Sequence, residues 1–181
     1  MRLFCLLALI VLCVAEPAFE RVRYKGGWVL VASERDRSAQ CVNDYLCIGN
    51  QFAACNRSDM HENGITHVVS LIGELDCAPN DVPRTVIDVD DVPYQGMLSA
   101  FMLTAAAIDA EREAGGRVLV HCAAGISRSS ATIIYYLMTR EHKDYNSALQ
   151  LIRTVRPIVQ PNAGFEEQLL AIEARLGKRE L

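Results

Sequence analysis

The 181-residue chain has no excess of basic charge: 18 lysines and arginines stand against 22 aspartates and glutamates, a formal net charge of -4. That balance gives no reason to expect a nucleic-acid-binding face or a broad basic membrane surface, so any anion site must be local. No uncharged apolar run reaches the roughly 20 residues that a membrane-spanning helix needs. Among seven cysteines and four histidines there is no C-x-x-C pair and no H-E-x-x-H helix, which leaves a zinc site with weak support. There is also no internal repeat and no low-complexity tract, which excludes a repeat architecture.

What is present is a chain with 51% hydrophobic side chains, enough for one well-buried core and little more. A single domain is expected. The first residues differ from the rest: Met1-Arg2 precede thirteen uncharged residues, LFCLLALIVLCVA, and Glu16-Pro17 follow. Residues 1–15 read as a signal peptide, with Cys13 and Ala15 as the small residues ahead of a cut. The alternatives are a short hydrophobic anchor or a start codon placed upstream of a cytosolic protein. Secretory and cytoplasmic locations both stay open.

Beyond residue 15 lie five cysteines, Cys41, Cys47, Cys55, Cys77 and Cys122. An odd number in an oxidising compartment leaves at least one thiol free or paired outside the chain, and Cys122 is the expected free one. The pairing of the other four is left open, since isolated cysteines are most often small buried hydrophobes. Asn56-Arg57-Ser58 is a glycosylation sequon that matters only if the leader is real.

Strand and helix signals alternate along the chain. Trp28–Ala32 and Tyr45–Gly49 read as strands, 53–63 as a polar helix stopped by Gly64, and 65–71 and 84–89 as short β-branched strands. Leu98, Phe101, Met102, Ala105 and Ile108 fall near helical spacing, and Gly115-Gly116 supplies a stop. Arg117–Val120 is apolar enough for a buried parallel strand. The expectation is an α/β domain with a central, mostly parallel sheet flanked by helices.

The stretch HCAAGISRSS, residues 121–130, sits between that last strand and the apolar run 133–138. A strand that ends in a tight glycine-containing loop and feeds a helix aims consecutive backbone N–H groups at one point, beside the positive end of the helix dipole. Such a loop binds an anion. The same dipoles favour thiolate over thiol, so a cysteine at the head of the loop is expected to be charged at rest. Arg128, six positions later, offers a planar fork that can grip two oxygens of a tetrahedral dianion, which a lysine cannot do. Phosphate fits best; the charge argument alone also admits carboxylate and sulfate.

HCAAGISRSS resembles the H-C-x-x-G-x-x-R-[ST] signature of the cysteine-dependent protein phosphatases, and its A-G-I-S-R-S form is closest to the small, atypical dual-specificity members. Tyr45–Gly49, Ala53-Ala54 and Gly64–Val68 resemble the N-terminal strand, helix and second strand of that family. Tyr136-Leu137-Met138 resembles the helix after its loop, with Tyr135 in place of the usual alanine. Arg156-Pro157 and Pro161-Asn162-Ala163-Gly164-Phe165, with Gln168-Leu169, resemble its C-terminal elements. Residues 40–175 are covered in order as a catalytic domain, between an extension at 16–39 and a tail at 176–181.

The resemblance implies a phosphatase acting on phosphotyrosine and phosphoserine/threonine in proteins through a cysteinyl-phosphate. Cys122 would be the nucleophile, and Ala123, Ala124, Gly125, Ile126, Ser127 and Arg128 would hold the phosphate oxygens. Ser129 would stabilise the departing thiolate, and His121 would support the loop through backbone hydrogen bonds. Expelling an alkoxide requires an acid. The family places it about thirty residues before the cysteine and ten before a helix phenylalanine; counting back from Phe101 gives Asp91, with Asp90 and Asp88 as competitors. Tyr135, Tyr136 and Phe165 read as packing residues. No metal or organic cofactor is called for.

Ala123, Ala124, Ile126 and Ser127 carry no charge, whereas relatives acting on phosphoinositides tend to place lysines there, so phosphoprotein is the expected partner. The small size suggests a shallow site open to all three phosphorylated side chains. Pro161-Asn162 lies where tyrosine-specific relatives carry a water-positioning glutamine; neither it nor Gln160 is assigned a role. Two alternatives stay in view: a module that binds phosphorylated segments without turnover, and a secreted relative silenced by oxidation of Cys122. The intact Cys122 argues against the first.

Overall fold

The computed structural model describes residues 19–24, 27–32 and 37–177, so the leader expected at 1–15 lies outside the described residues. Seven strands and five α-helices are defined. Strands β1 (Phe19–Tyr24) and β2 (Gly27–Ala32) form an antiparallel hairpin of their own. The strand expected at Trp28–Ala32 therefore exists, but in a two-stranded sheet separate from the central one.

The central sheet contains β3 (Gln40–Cys41), β4 (Leu46–Gly49), β5 (His67–Ser70), β6 (Arg84–Val86) and β7 (Val118–His121), in the spatial order β3-β4-β7-β5-β6. Only β3 runs antiparallel to its neighbour; β4, β7, β5 and β6 are mutually parallel. All four residues of β7 are buried, as a strand in the middle of a two-sided parallel sheet requires. Side chains of a strand alternate between faces, and the core divides accordingly. Leu46, Ile48, Val118 and Val120 enter the larger cluster, with Phe101, Ile133, Tyr136 and Phe165, whereas Cys47, Leu119 and Val68 enter the smaller one with Ala53, Ala54 and Met60.

The large cluster is covered by α2 (Leu98–Glu113), α3 (Arg128–Arg140), α4 (Tyr145–Val155) and α5 (Ala163–Leu176). Nine of the thirteen residues of α3 are buried, so it runs through the helical layer instead of lying on it. That burial explains why apolar residues fill all sides of its second half. Tyr136 and Phe165 are fully buried, and Tyr135 stacks on Phe101 with ring centroids 5.0 Å apart.

Two local expectations change. The helix read over 53–63 breaks at Asn56, which leaves helical backbone (φ -93°, ψ 87°) to accept the Asp59 N–H. A 3₁₀ turn (Ala53–Cys55) precedes it and α1 (Arg57–Glu62) follows; Asn caps a helix better than it continues one. The strand expected over 84–89 stops at Val86, and Asp88 instead forms an isolated antiparallel bridge with Ile72.

The four cysteines whose pairing the sequence left open are paired, Cys41 with Cys47 across the β3–β4 ladder and Cys55 with Cys77 between the 3₁₀ turn and the loop before β6. Closing the 22-residue Cys55–Cys77 separation is worth about 3 kcal/mol in the chain-entropy picture. Cys122 is free and buried. Among the described residues no helix is long and apolar enough to cross a membrane.

Candidate active site

The loop from Cys122 to Ser127 joins the C-terminal end of β7 to the first residue of α3, Arg128. Gly125 turns it with φ +65°, and a Cβ there would lie 2.5 Å from the Gly49 carbonyl oxygen and 2.9 Å from Arg156 Nη2. Both the left-handed backbone and the close approach require glycine.

Every carbonyl of the loop is taken. Cys122 O lies 3.4 Å from His121 Nδ1, and Ala123 O accepts from Gln51 N. Arg156, 2% exposed, donates Nη2 to Ala124 O (2.9 Å) and Nε to Gly125 O (2.6 Å). Ile126 O accepts from Gln160 N, and Ser127 O from Ala131 N and Ser130 Oγ. The described peptides are all trans, and in a trans peptide the N–H points opposite to the preceding carbonyl. Fixing the carbonyls of 122–127 thus turns the N–H groups of 123–128 the other way. Arg156 is the clamp that sequence reading missed: it was noted only as part of an R-P pair, with no signal of what it holds.

The sulfur of Cys122, 1% exposed, lies inside this cradle. It accepts the Gly125 N–H at 3.2 Å and sits 3.4 Å from Ser129 Oγ. The sulfur thus faces a loop N–H, a hydroxyl and the N-terminal end of α3. His121 is fully buried, and burial pushes its pKa down to about 4, with the positive charges of Arg128 and Arg84 acting in the same direction and its contact with the Cys122 carbonyl opposing them. A neutral imidazole beside the loop supports backbone without adding charge.

Arg128 donates Nη1 to Val89 O at 3.1 Å, while its Nε is buried without a hydrogen-bond partner. Asp91 Oδ2 forms an ion pair with that Nε at 3.6 Å. Asp91 is held from its other oxygen: Oδ1 accepts from Ser127 Oγ at 2.6 Å and from Asn162 Nδ2 at 2.8 Å. Of the three acids weighed from the sequence, Asp91 has its carboxylate tied to the loop through Ser127. The Asp90 backbone instead bonds the Gln95 side chain, and Asp88 carries the bridge to Ile72.

Cys122, Arg128, Ser129, Asp91 and His121 are therefore within one cluster, and Ala123, Ala124, Gly125, Ile126 and Ser127 form its backbone cradle. Ser127 contributes its side chain to Asp91 in addition to its place in the loop. Asn162, left unassigned from the sequence, also belongs here. It caps α5 by accepting the Phe165 N–H and donates its own backbone N–H to Ser127 Oγ at 3.1 Å.

A family model described as dual specificity phosphatase, catalytic domain, matches residues 45–175. The Dictyostelium discoideum protein called MAP kinase phosphatase with leucine-rich repeats protein 3 is 40% identical over 136 residues, 72% of this chain and 15% of its own length. A probable dual specificity protein phosphatase of the same organism is 34% identical over 173 residues, 92% of this chain and 81% of its own. The crystal structure of a mouse putative dual specificity phosphatase complexed with zinc tungstate matches with a TM-score of 0.74 at 30% identity, covering 83% of this chain and 95% of that one. The chain spans less than a third of the length of several larger curated relatives, 15%, 18% and 28%. With the family model over residues 45–175 and a relative matched over four-fifths of its own length, the chain belongs to the dual specificity phosphatase catalytic-domain family.

Proposed function

We propose that the chain hydrolyses phosphomonoesters on phosphotyrosine and phosphoserine/threonine of proteins through a cysteinyl-phosphate. The observation that carries this reading is the buried Arg128 Nε with no hydrogen-bond partner, at the end of a loop whose first residue, Cys122, accepts a loop N–H on its sulfur. Asp91 Oδ2 lies 3.6 Å from that donor, beyond hydrogen-bond distance; a buried, charged donor without a hydrogen bond is costly, and an oxygen of a tetrahedral dianion would supply one. The mouse relative was solved with tungstate, an oxyanion.

In the first displacement Cys122 Sγ attacks phosphorus, the S–P bond forms and the P–O bond to the side chain breaks. Asp91 delivers its proton to the leaving oxygen. The N–H groups of 123–128 and the Arg128 fork hold the equatorial oxygens where charge accumulates. In the second displacement Asp91 takes a proton from water, the new P–O bond forms, and sulfur departs as thiolate against Ser129 Oγ. Two smaller barriers replace one large one. The uncharged side chains of Ala123, Ala124 and Ile126 favour a phosphoprotein over a substrate with several phosphates.

Turnover of p-nitrophenyl phosphate and of a phosphopeptide by the full chain under reducing conditions tests the reading. Both activities are expected, and both should vanish in Cys122→Ser while phosphopeptide binding persists. A wild-type chain that binds the phosphopeptide and releases no phosphate would make it a binding module instead.

A further inference from the structure

The phosphatase reading leaves three features unused: the two disulfides, the sequon at Asn56 and the uncharged run ahead of Glu16. We propose that Asn56 carries an N-linked oligosaccharide, acquired as the chain matures in an oxidising secretory compartment. This inference is independent of the catalytic reading and uses none of its residues.

Disulfides persist in oxidising compartments and are kept reduced in the cytosol. Cys41–Cys47 and Cys55–Cys77 use every cysteine of the described residues except Cys122. Cys55 immediately precedes Asn56, so the sequon is anchored by one of these bonds on one side and opens α1 on the other. Asn56-Arg57-Ser58 is the only N-x-[ST] tripeptide in the chain. Arg57 and Ser58 are exposed, with 73% of the Arg57 side chain open to solvent.

The side chain of Asn56 is divided in a way that accommodates the modification. Its Oδ1 does the structural work, accepting the Asp59 N–H at 3.2 Å. Its Nδ2 makes one long contact, 3.5 Å to the Arg37 carbonyl in an exposed setting. Glycosylation forms a bond from Nδ2 to the anomeric carbon of the sugar. The sugar–phosphate bond of a lipid-pyrophosphate-linked donor breaks, the pyrophosphate leaves with the electron pair, and one amide proton is lost. The cap oxygen and one N–H remain, so α1 keeps its start.

The test is expression of the full chain, with its own first residues, in a eukaryotic secretory host. Non-reducing peptide mass spectrometry follows, before and after treatment with an amidase that removes N-glycans. Expected are a Cys55–Cys77 cross-linked peptide, one glycan, and conversion of Asn56 to Asp when the glycan is removed. Ser58→Ala should abolish the glycan and Ser58→Thr should keep it; the Ser58 hydroxyl touches only Glu62, on the surface. An unmodified Asn56 in the wild-type chain overturns the proposal, whether its cysteines are oxidised or reduced.

Discussion

Asn162 Nδ2 donates to Asp91 Oδ1 at 2.8 Å across 71 residues of sequence, while the Oδ1 of the same Asn162 caps α5 by accepting the Phe165 N–H. Asn162 and Ser127 both donate to Oδ1 of Asp91, and its Oδ2 faces Arg128. In the proposed mechanism Asn162 would act through Asp91 as a positioning residue. Asn162→Ser should preserve the cap, since Ser caps well, but remove the donor. A hydrogen bond to a charged group is worth about 1.5–3 kcal/mol, so turnover of phosphoserine peptides should fall about 10- to 100-fold. Esters whose leaving group needs no protonation should be affected little. A steeper dependence of kcat/KM on leaving-group basicity is the signature to measure; a uniform loss across the series would mean a purely structural role.

Asp91 itself should show the same selectivity more strongly. Asp91→Asn is expected to slow poorly leaving phosphoesters by about 10²–10⁴-fold, roughly 3–5 kcal/mol of barrier. Asp90→Asn, whose carboxylate is not tied to the loop, should behave like wild type. Comparing the two variants on phosphoserine peptide and on an activated aryl phosphate checks the assignment, and an exchange of their phenotypes would move the acid to Asp90.

The parts of this site that are contiguous in sequence were readable as a unit. Cys122, Gly125 and Arg128 lie within seven residues between an apolar strand and an apolar helix, so local backbone physics alone points to an anion cradle. The parallel sheet was readable for a similar reason, because β7 and β4 are short apolar runs bounded by glycine. What lay beyond reach depends on distant partners. Nothing around Arg156 says that it crosses 31 residues to hold the Gly125 carbonyl, and Asn162 is indistinguishable in sequence from an ordinary cap. The disulfide partners are likewise set by which loops meet, and the helix break at Asn56 by a single side chain's preference for capping.

Arg156 should be more important than its distance from the reacting atoms suggests. Arg156→Lys keeps the charge and loses the fork, leaving at least one of Ala124 O and Gly125 O without its donor. An unsatisfied buried acceptor costs about 1–3 kcal/mol, and for a domain of this size each kcal/mol is about 2–4 °C in Tm. Thermal unfolding should therefore shift down by roughly 2–12 °C. Vanadate should also inhibit about tenfold more weakly, because a carbonyl free to rotate no longer fixes the N–H behind it; unchanged vanadate affinity would separate the clamp from the anion site.

His121 sets a pH dependence of stability whose sign follows from its burial. The folded chain holds its pKa at about 4, below the ordinary value of 6.5. Between those two pH values the unfolded chain binds a proton that the folded chain refuses, so stability is complete above pH 6.5 and declines as pH falls towards 4. The full shift corresponds to about 3 kcal/mol. In His121→Gln that contribution is removed while the carboxylates, which titrate over overlapping pH, stay common to both proteins. The difference between wild-type and variant urea unfolding free energies should therefore be flat from pH 8 to 7 and change by about 3 kcal/mol in the variant's favour as pH is lowered to 4. Parallel curves through that window would mean that folding leaves the imidazole's proton affinity unchanged and that burial does not exclude its proton.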